Sequence, residues 1–262
     1  MSTRSGSAAP APAGGFADYF SGQAQDYRRY RPGYPDPLFA WLASQAPATG
    51  AVWDCATGSG QAAVALARHF DTVYATDASE AQIGKGIADP GVHYSVARAE
   101  ESGLEENSVD AVTVAQSLHW LDGEGFHAEV RRVARPGAVI AAWSYGLMDA
   151  GPHLNPVIRR LYTDILGSYW PPERRHVDEC YAELPFPYAR MAPPPFEMEA
   201  EWGLARLTGY LETWSAVAKY KAAFSKDPVL LVQDELADAW GDPGRAHVIR
   251  WPLYVLAGRN LS

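Results

Sequence analysis

The chain is poor in cysteine and has no surplus of positive charge, and each shortage excludes a class of protein. Its 262 residues contain only two cysteines, Cys55 and Cys180, too few for a disulfide framework and without the paired spacing of a structural zinc site. A reducing, cytoplasmic setting is therefore the expectation. With 31 acidic against 22 basic residues, the formal net charge is −9, so we expect no nucleic-acid partner. The densest basic groups, residues 28–31 and 174–176, are short, and we interpret each as a solvated face.

Long hydrophobic runs are also missing. An apolar stretch such as Ala138–Trp143 is far shorter than the roughly 20 residues of a membrane-spanning helix. The Ser/Ala/Pro/Gly-rich residues 2–15 lack the leucine-rich core of a secretory signal. We therefore expect no membrane segment, and we interpret residues 1–15 as a disordered tail.

The sequence does contain a repeated alternation of strand and helix patterns, which predicts a parallel sheet with helices on both faces. Seven segments have the pattern of strands: Ala51–Ala56, Thr72–Asp77, Val92–Ala97, Val109–Ala115, Ala138–Ser144, Phe196–Ala205 and Val248–Leu256. Helices are expected at Gln61–Phe70, Glu124–Ala134, Leu154–Leu166, Leu207–Phe224 and Val229–Trp240, with a capping box at Ser79–Gln82. The fold class is therefore α/β.

The same pattern divides the chain into regions. Residues 16–48 are interpreted as N-terminal cap helices and residues 49–145 as the sheet core. Residues 146–195 interrupt the alternation after the fifth strand, and so long an insertion, dense in Pro and Tyr, is typical of a functional lid. Residues 196–262 are expected to complete the sheet and to add helices on the substrate side.

A ligand-binding turn is predicted where the first strand meets the first core helix. Gly58 and Gly60 let the backbone approach a ligand closely, and the amino end of the helix presents unpaired N–H groups. Asp77 closes the second strand, where a carboxylate can accept hydrogen bonds from both hydroxyls of a ribose. Asp54, just before the turn, either lies near a cationic ligand end or caps the turn.

The turn by itself does not specify one function, and two alternatives stay open. Gly58–Ala63 also matches the dinucleotide pattern G-x-G-x-x-G/A, so an NAD(P)-dependent oxidoreductase is the first alternative. Against it, the Asp54 carboxylate would repel a pyrophosphate and suits a cation such as a methionine ammonium. The second alternative is a cofactor-binding protein without catalysis.

These features resemble the class I methyltransferase family, whose first motif has the form D-x-G-x-G-x-G after a hydrophobic strand. Asp54, Gly58, Gly60 and Asp77 match the family, and Ala56 stands where it has its first glycine. The resemblance implies a Rossmann-like, seven-stranded, mostly parallel sheet and S-adenosyl-L-methionine as cofactor. It covers roughly residues 27–145.

Within this family the chain is most similar to the trans-aconitate methyltransferase-like group of the type 11 domain. The finer match lies in Tyr27–Pro35 and in Ala115–Trp120. The resemblance implies that Ala99 and Glu100 flank the adenine, although Glu100 is also compatible with a solvated loop.

Two further residues are expected beside the cofactor. Ala78, directly after the ribose carboxylate, lies at the mouth of the second strand. Arg31 either reaches the cofactor carboxylate, which a guanidinium can bind through two hydrogen bonds, or forms a surface ion pair.

The acceptor side is expected where the fourth strand ends, since open α/β sheets bind ligands at the switch in strand order. Gln116 ends this strand and is placed with the cofactor residues. His119 is either structural or a base or substrate contact, and Trp120 either packs in the core or lines the pocket.

A second group of acceptor residues is expected on the helix at Leu207–Phe224. Tyr210, Trp214 and Lys221 fall on one face of it, which belongs either to the core or to the pocket. No metal-binding cluster is apparent. The sequence thus predicts methylation of a small molecule, with oxygen of a carboxylate or hydroxyl as the expected target.

Overall fold

The computed structural model describes residues 32–261, and these form one sheet covered by helices. The helices are α1 (Asp36–Gln45), α2 (Gln61–Leu66), α3 (Glu80–Ile83), α4 (Gly123–Val133), α5 (Leu154–Arg159), α6 (Arg174–Asp178), α7 (Leu204–Glu212), α8 (Ser215–Phe224) and α9 (Gln233–Trp240). Three 3₁₀ turns, at Leu118–Trp120, Gly167–Tyr169 and Pro228–Val232, and a π-helical segment, Arg160–Ile165, also occur.

The strands are β1 (Ala51–Cys55), β2 (Thr72–Asp77), β3 (Val92–Val96), β4 (Val109–Ala115), β5 (Ala134–Tyr145), β6 (Ala189–Met191), β7 (Phe196–Trp202) and β8 (His247–Arg259). They pair in the order β3-β2-β1-β4-β5-β8-β6, and β7 also pairs with β8. The first five strands are parallel, and β8 runs antiparallel to β5. The mostly parallel, Rossmann-like sheet is therefore confirmed. All seven predicted strands are present, and the additional short strand β6 lies within residues 146–195.

The sheet is buried on both faces because its central strands are almost wholly apolar. Every residue of β1 is buried, and successive side chains point to opposite sides. Val52 belongs to a cluster that includes α1, α2 and α7 to α9, whereas Trp53 belongs to a cluster that includes α4. Helices therefore cover both faces, as the apolar strands require.

The strand order places the site. Proceeding from β1, the chain adds β2 and β3 on one side and then returns to add β4 and β5 on the other. The connections on the two sides of this reversal diverge and leave a crevice at the carboxyl ends of β1 and β4. This crevice is where the sequence predicts the cofactor and the acceptor to meet.

Several local predictions need correction. Strand β3 was expected to be buried, but as the edge of the sheet it is largely exposed. The expected helix Leu207–Phe224 is two helices, because the backbone is extended at Trp214. Of the expected N-terminal helices only α1 falls within the described residues, and Arg31 lies outside them.

Candidate functional site

The turn after β1 adopts the left-handed conformations that its glycines permit. Gly58 and Gly60 have φ of +59° and +86°, where an L side chain is strained. A Cβ on Gly60 would also collide with the hydroxyl of Tyr94, whereas one on Gly58 would meet no atom of the described residues within 4 Å. The open side of the turn at Gly58 therefore leaves space for a ligand.

Ala56 shows the physical reason for the family's glycine at its position. Its φ is +54°, a conformation that costs an L residue roughly 1 to 2 kcal/mol. Strain of this kind is common where a backbone is shaped around a ligand. The turn therefore keeps the family's backbone shape without the first glycine.

Asp77 links the end of β2 to this turn. One carboxylate oxygen accepts a hydrogen bond from the backbone N–H of Gly58 at 2.9 Å, and the other accepts from that of Ser79, also at 2.9 Å. Each oxygen has a second lone pair, so the carboxylate can also accept from ribose hydroxyls. Asp77 thus fixes the position of the turn, and its role as a ribose ligand stays a prediction.

Asp54 is fully buried directly beneath the turn. Its carboxylate accepts hydrogen bonds from the hydroxyls of Thr57 at 2.5 Å and Thr113 at 2.8 Å. Burial raises its pKa from 3.8 to about 6 despite these two bonds, which lower it. The carboxylate joins β1, β4 and the turn, and this geometry favours the capping interpretation over direct contact with the cofactor.

The corner expected beside the adenine lies at the ends of β2 and β3. Ala78 is exposed directly after Asp77, and the backbone of Ala97 donates to the carbonyl of Asp77 at 3.0 Å. Ala99 and Glu100 follow, half-buried, and Glu100 pairs with exposed Arg98 at 3.0 Å. The open glycine turn, the Asp77 carboxylate and this corner are compatible with S-adenosylmethionine.

A second pocket lies beyond the carboxyl ends of β4 and β5. The empty space within it, including the solvent at its open mouth, is about 730 Å³. Its walls are Gln116, His119, Trp120, Tyr145, Gly146, Leu147, Tyr162, Trp170, Pro171, Arg174, Val177, Tyr210, Thr213, Trp214 and Ser215. Gln116, His119, Trp120, Tyr210 and Trp214 were singled out from the sequence.

Gln116 connects this pocket with the crevice next to β1. Its φ is +58°, a strained conformation for a residue of this size. The backbone N–H donates to Trp143 at 2.8 Å, and the side-chain amide donates to the carbonyl of Tyr145 at 3.4 Å. Gln116 thus lies where a methyl donor and an acceptor would meet.

His119 lies in the 3₁₀ turn after β4. Its Nδ1 lies 3.0 Å from the hydroxyl of buried Tyr181, and its ring lies 4.7 Å from that of Trp120, centroid to centroid. Burial, and secondarily the charges of Arg174 and His176, lower its pKa to about 3. His119 is therefore neutral at physiological pH and poorly suited to act as a general base.

Arg174 is the pocket residue that the sequence analysis missed. It was interpreted as part of a solvated face, which is wrong, because its side chain is 23% exposed and lines the pocket. Its Nε donates to the Tyr162 hydroxyl at 2.9 Å, and its guanidinium lies 5.1 Å from the Trp170 ring centroid. The aromatic residues around it in the sequence were the available signal, since guanidinium groups stack on such rings.

Lys221 does not belong to the pocket, contrary to the expected helical face. It lies in α8, beyond the break that ends α7, and its Nζ pairs with Asp227 at 2.6 Å. Tyr210 and Trp214 are 2% and 5% exposed and line the pocket, so both proposed roles, core and pocket wall, apply to them.

Residues 32–261 contain neither a candidate membrane span nor a candidate metal cluster. No helix in this range is long and apolar enough to span a bilayer. Within the same range, no group of three or more His, Cys, Asp or Glu side chains is arranged to hold a metal ion.

Comparisons with known proteins identify the domain that contains the glycine turn. Residues 53–142 match the model of a methyltransferase domain. A protein described as a type II methyltransferase from Anaeromyxobacter dehalogenans is 46% identical, with a TM-score of 0.84 over 88% of this chain and 98% of its own.

Two further relatives are also described as methyltransferases, without a specified methyl acceptor. A methyltransferase of Dictyostelium discoideum is 28% identical over 94% of this chain and 96% of its own. An uncharacterized methyltransferase of Mycobacterium tuberculosis is 38% identical over 42% and 45%. The chain shares its fold with a methyltransferase that is 46% identical, and the methyltransferase domain that it matches includes the glycine turn. The chain therefore belongs to the class I methyltransferases, enzymes whose cofactor is S-adenosylmethionine.

Proposed function

We propose that the enzyme methylates a small anionic molecule on oxygen, with a carboxylate as the accepting group. The observation that carries the proposal is the position of Arg174, a half-buried cation in an aromatic pocket next to Gln116. A carboxylate is the group that a guanidinium recognises best.

The guanidinium is oriented by its neighbours. Its Nε is engaged by Tyr162 and lies 3.4 Å from Asp178. The terminal nitrogens have no partner among residues 32–261 and can bind an acceptor. Trp170 and Trp214 give the pocket apolar walls, which strengthen a charge-assisted hydrogen bond by excluding water.

The reaction then requires little acid–base chemistry from the chain. S-adenosylmethionine supplies a methyl group that is already activated on a sulfonium. The residues of the pocket hold the acceptor in line and exclude water. A carboxylate is ionised at neutral pH and needs no base, which agrees with the low pKa of His119. A hydroxyl or amine acceptor would need one.

Charge in the pocket opposes the overall charge of the chain. The net charge of −9 repels anions, but the guanidinium of Arg174 places a positive charge in the pocket wall. A locally positive field is what an anionic acceptor requires.

The NAD(P)-dependent alternative gains no support from the fold or the relatives. The scarcity of cysteine supports a cytoplasmic setting.

The test is a panel of carboxylic acids, phenols and amines, assayed by release of S-adenosylhomocysteine from pH 6 to 9. A carboxylic acid should react with a rate nearly independent of pH, and Arg174→Gln should raise its KM at least about tenfold, the value of a lost charge-assisted hydrogen bond. The matched control is Arg175→Gln, which removes the same charge from an exposed neighbour. Activity confined to amines would end the proposal, and no turnover with any acceptor would favour a non-catalytic cofactor-binding protein.

A further inference from the structure

We propose that Tyr181 is a positioning residue that donates its hydroxyl proton to Nδ1 of His119 and so keeps the imidazole proton on Nε2. His119 then presents a hydrogen-bond donor to the pocket. That the recipient is an oxygen of the acceptor rests on the proposed function, whereas the tautomer itself does not.

The surroundings of the Tyr181 oxygen determine the direction of this hydrogen bond. Tyr181 is completely buried, and its oxygen lies 3.0 Å from Nδ1. Among residues 32–261, this contact is the one hydrogen bond of normal geometry to the Tyr181 hydroxyl, since the nearby hydroxyl of Ser144 forms none. A phenol has one proton to give, and Nδ1 is the partner in best geometry.

The other ring nitrogen is left for the pocket. His119 lines the pocket and Tyr181 does not, so the edge of the ring opposite Nδ1 faces the acceptor. Nε2 has no hydrogen-bond partner in the part of the chain that the structure describes. A neutral imidazole that accepts at one nitrogen donates at the other. Nε2–H is therefore directed toward the acceptor.

Packing alone does not account for the tyrosine. Cys180 and Tyr181 are consecutive left-handed residues, with φ of +56° and +59°, and such conformations each cost roughly 1 to 2 kcal/mol. This turn at the end of α6 directs the phenol inward to His119, where a phenylalanine would fill the same volume without the hydroxyl. Strained turns of this kind are common at functional sites.

A second histidine provides an internal reference. Nδ1 of His127 lies 2.7 Å from the hydroxyl of Tyr188, and its Nε2 lies 3.1 Å from the carbonyl of Pro185. A carbonyl only accepts, so the neutral ring carries its proton on Nε2 and accepts from the tyrosine. This pair lies outside the pocket lining and shows the arrangement proposed for His119.

The first test reads the tautomer directly. Long-range ¹⁵N–¹H correlation spectra of histidine-labelled protein at pH 7 should show the Nε2–H pattern for His119, assigned by its absence in His119→Gln. In Tyr181→Phe the signal should shift toward a mixture of tautomers, whereas in Tyr188→Phe it should not change. An Nδ1–H pattern in the wild type, or an unchanged pattern in Tyr181→Phe, would overturn the proposal whatever the acceptor is.

The second test uses turnover with the best acceptor of the panel. His119→Gln places an amide N–H near the position of Nε2 and should retain at least about fivefold more kcat/KM than His119→Asn. Tyr181→Phe should raise KM without a new inflection in the pH profile from 6 to 9. Equal activity of the two His119 variants would contradict a donor at Nε2, and unfolding of Tyr181→Phe, seen by circular dichroism, would leave the spectrum of the wild type to decide.

Discussion

A hydrogen bond joins Tyr162 and Arg174, two residues of the pocket wall that lie in the segment after β5. The Tyr162 hydroxyl accepts a hydrogen bond from Nε of Arg174 at 2.9 Å and donates one to Asp178 at 2.7 Å. Tyr162 belongs to the π-helical segment Arg160–Ile165, and such segments are frequent at functional sites. The phenol thus fixes the direction in which the guanidinium points.

Removing this hydroxyl should weaken acceptor binding and leave cofactor binding unchanged. Tyr162→Phe deletes the bond to Nε, so we expect KM for the acceptor to rise about two- to tenfold, the value of one hydrogen bond in a half-buried site. Steady-state kinetics with the acceptor and calorimetry with S-adenosylhomocysteine measure the two effects. Tyr169→Phe, which alters a tyrosine outside the pocket lining, is the control. A Tyr162→Phe enzyme with unchanged KM would show that Arg174 needs no such support.

The sequence pattern marks the glycine turn and the strand end at Asp77 more clearly than it marks the pocket, for a physical reason. Gly58, Gly60 and Asp77 act through backbone conformation and strand ends, which leave a regular signature along the chain. Arg174 acts through a helix of five residues within an irregular insertion, and no periodic pattern marks it. The position of such a residue is determined by tertiary contacts with Tyr162 and Trp170.

Asp77 should be required for cofactor binding. Asp77→Ala removes the acceptor of the Gly58 and Ser79 N–H groups and a ribose ligand, so affinity for S-adenosylhomocysteine should fall at least about tenfold. Calorimetry on the folded variant measures this. Asp71→Ala, which removes an exposed carboxylate just before β2, should bind normally. Equal affinities of the two variants would remove Asp77 from the site.

Asp54 should make the stability of the ligand-free protein depend on pH. Burial raises the pKa of Asp54 in the folded state from 3.8 to about 6, so between these pH values the folded protein binds a proton that the unfolded chain does not. This proton uptake stabilises the folded state, and the stabilisation is lost as pH rises through 6. Asp54→Asn has no such titration. From pH 7.5 to pH 5, the free energy of unfolding of the wild type should therefore rise by about 1 kcal/mol relative to the variant. Urea denaturation at both pH values checks this, and parallel changes would show that Asp54 does not titrate there.

Sequence periodicity also fails where a helix is interrupted. The face shared by Tyr210, Trp214 and Lys221 holds only for a continuous helix. The structure ends α7 at Glu212 and begins α8 at Ser215, so Tyr210 and Lys221 lie on different helices. Trp214 lies at this break and packs against Tyr162, Trp170 and Tyr210. The break coincides with these tertiary contacts, which a local sequence pattern does not contain.

The segment 154–195 should close over the site when ligand binds. It contributes Tyr162, Trp170, Arg174 and Val177 to the pocket wall, yet its regular elements are short: α5 has six residues, α6 five and β6 three. Short elements exchange their amide hydrogens through local opening, and ligand contacts suppress such opening.

Hydrogen exchange with and without S-adenosylhomocysteine tests this closure. Protection should increase within 160–178, whereas β7, which is outside the pocket, should exchange at the same rate in both states. The same gain is expected for residues 16–34, most of which precede the described part of the chain. A repeat with the acceptor should slow exchange in 160–178 further, because Arg174 then gains a partner. Equal exchange of 160–178 in all three states would show that this segment is a fixed wall and not a lid.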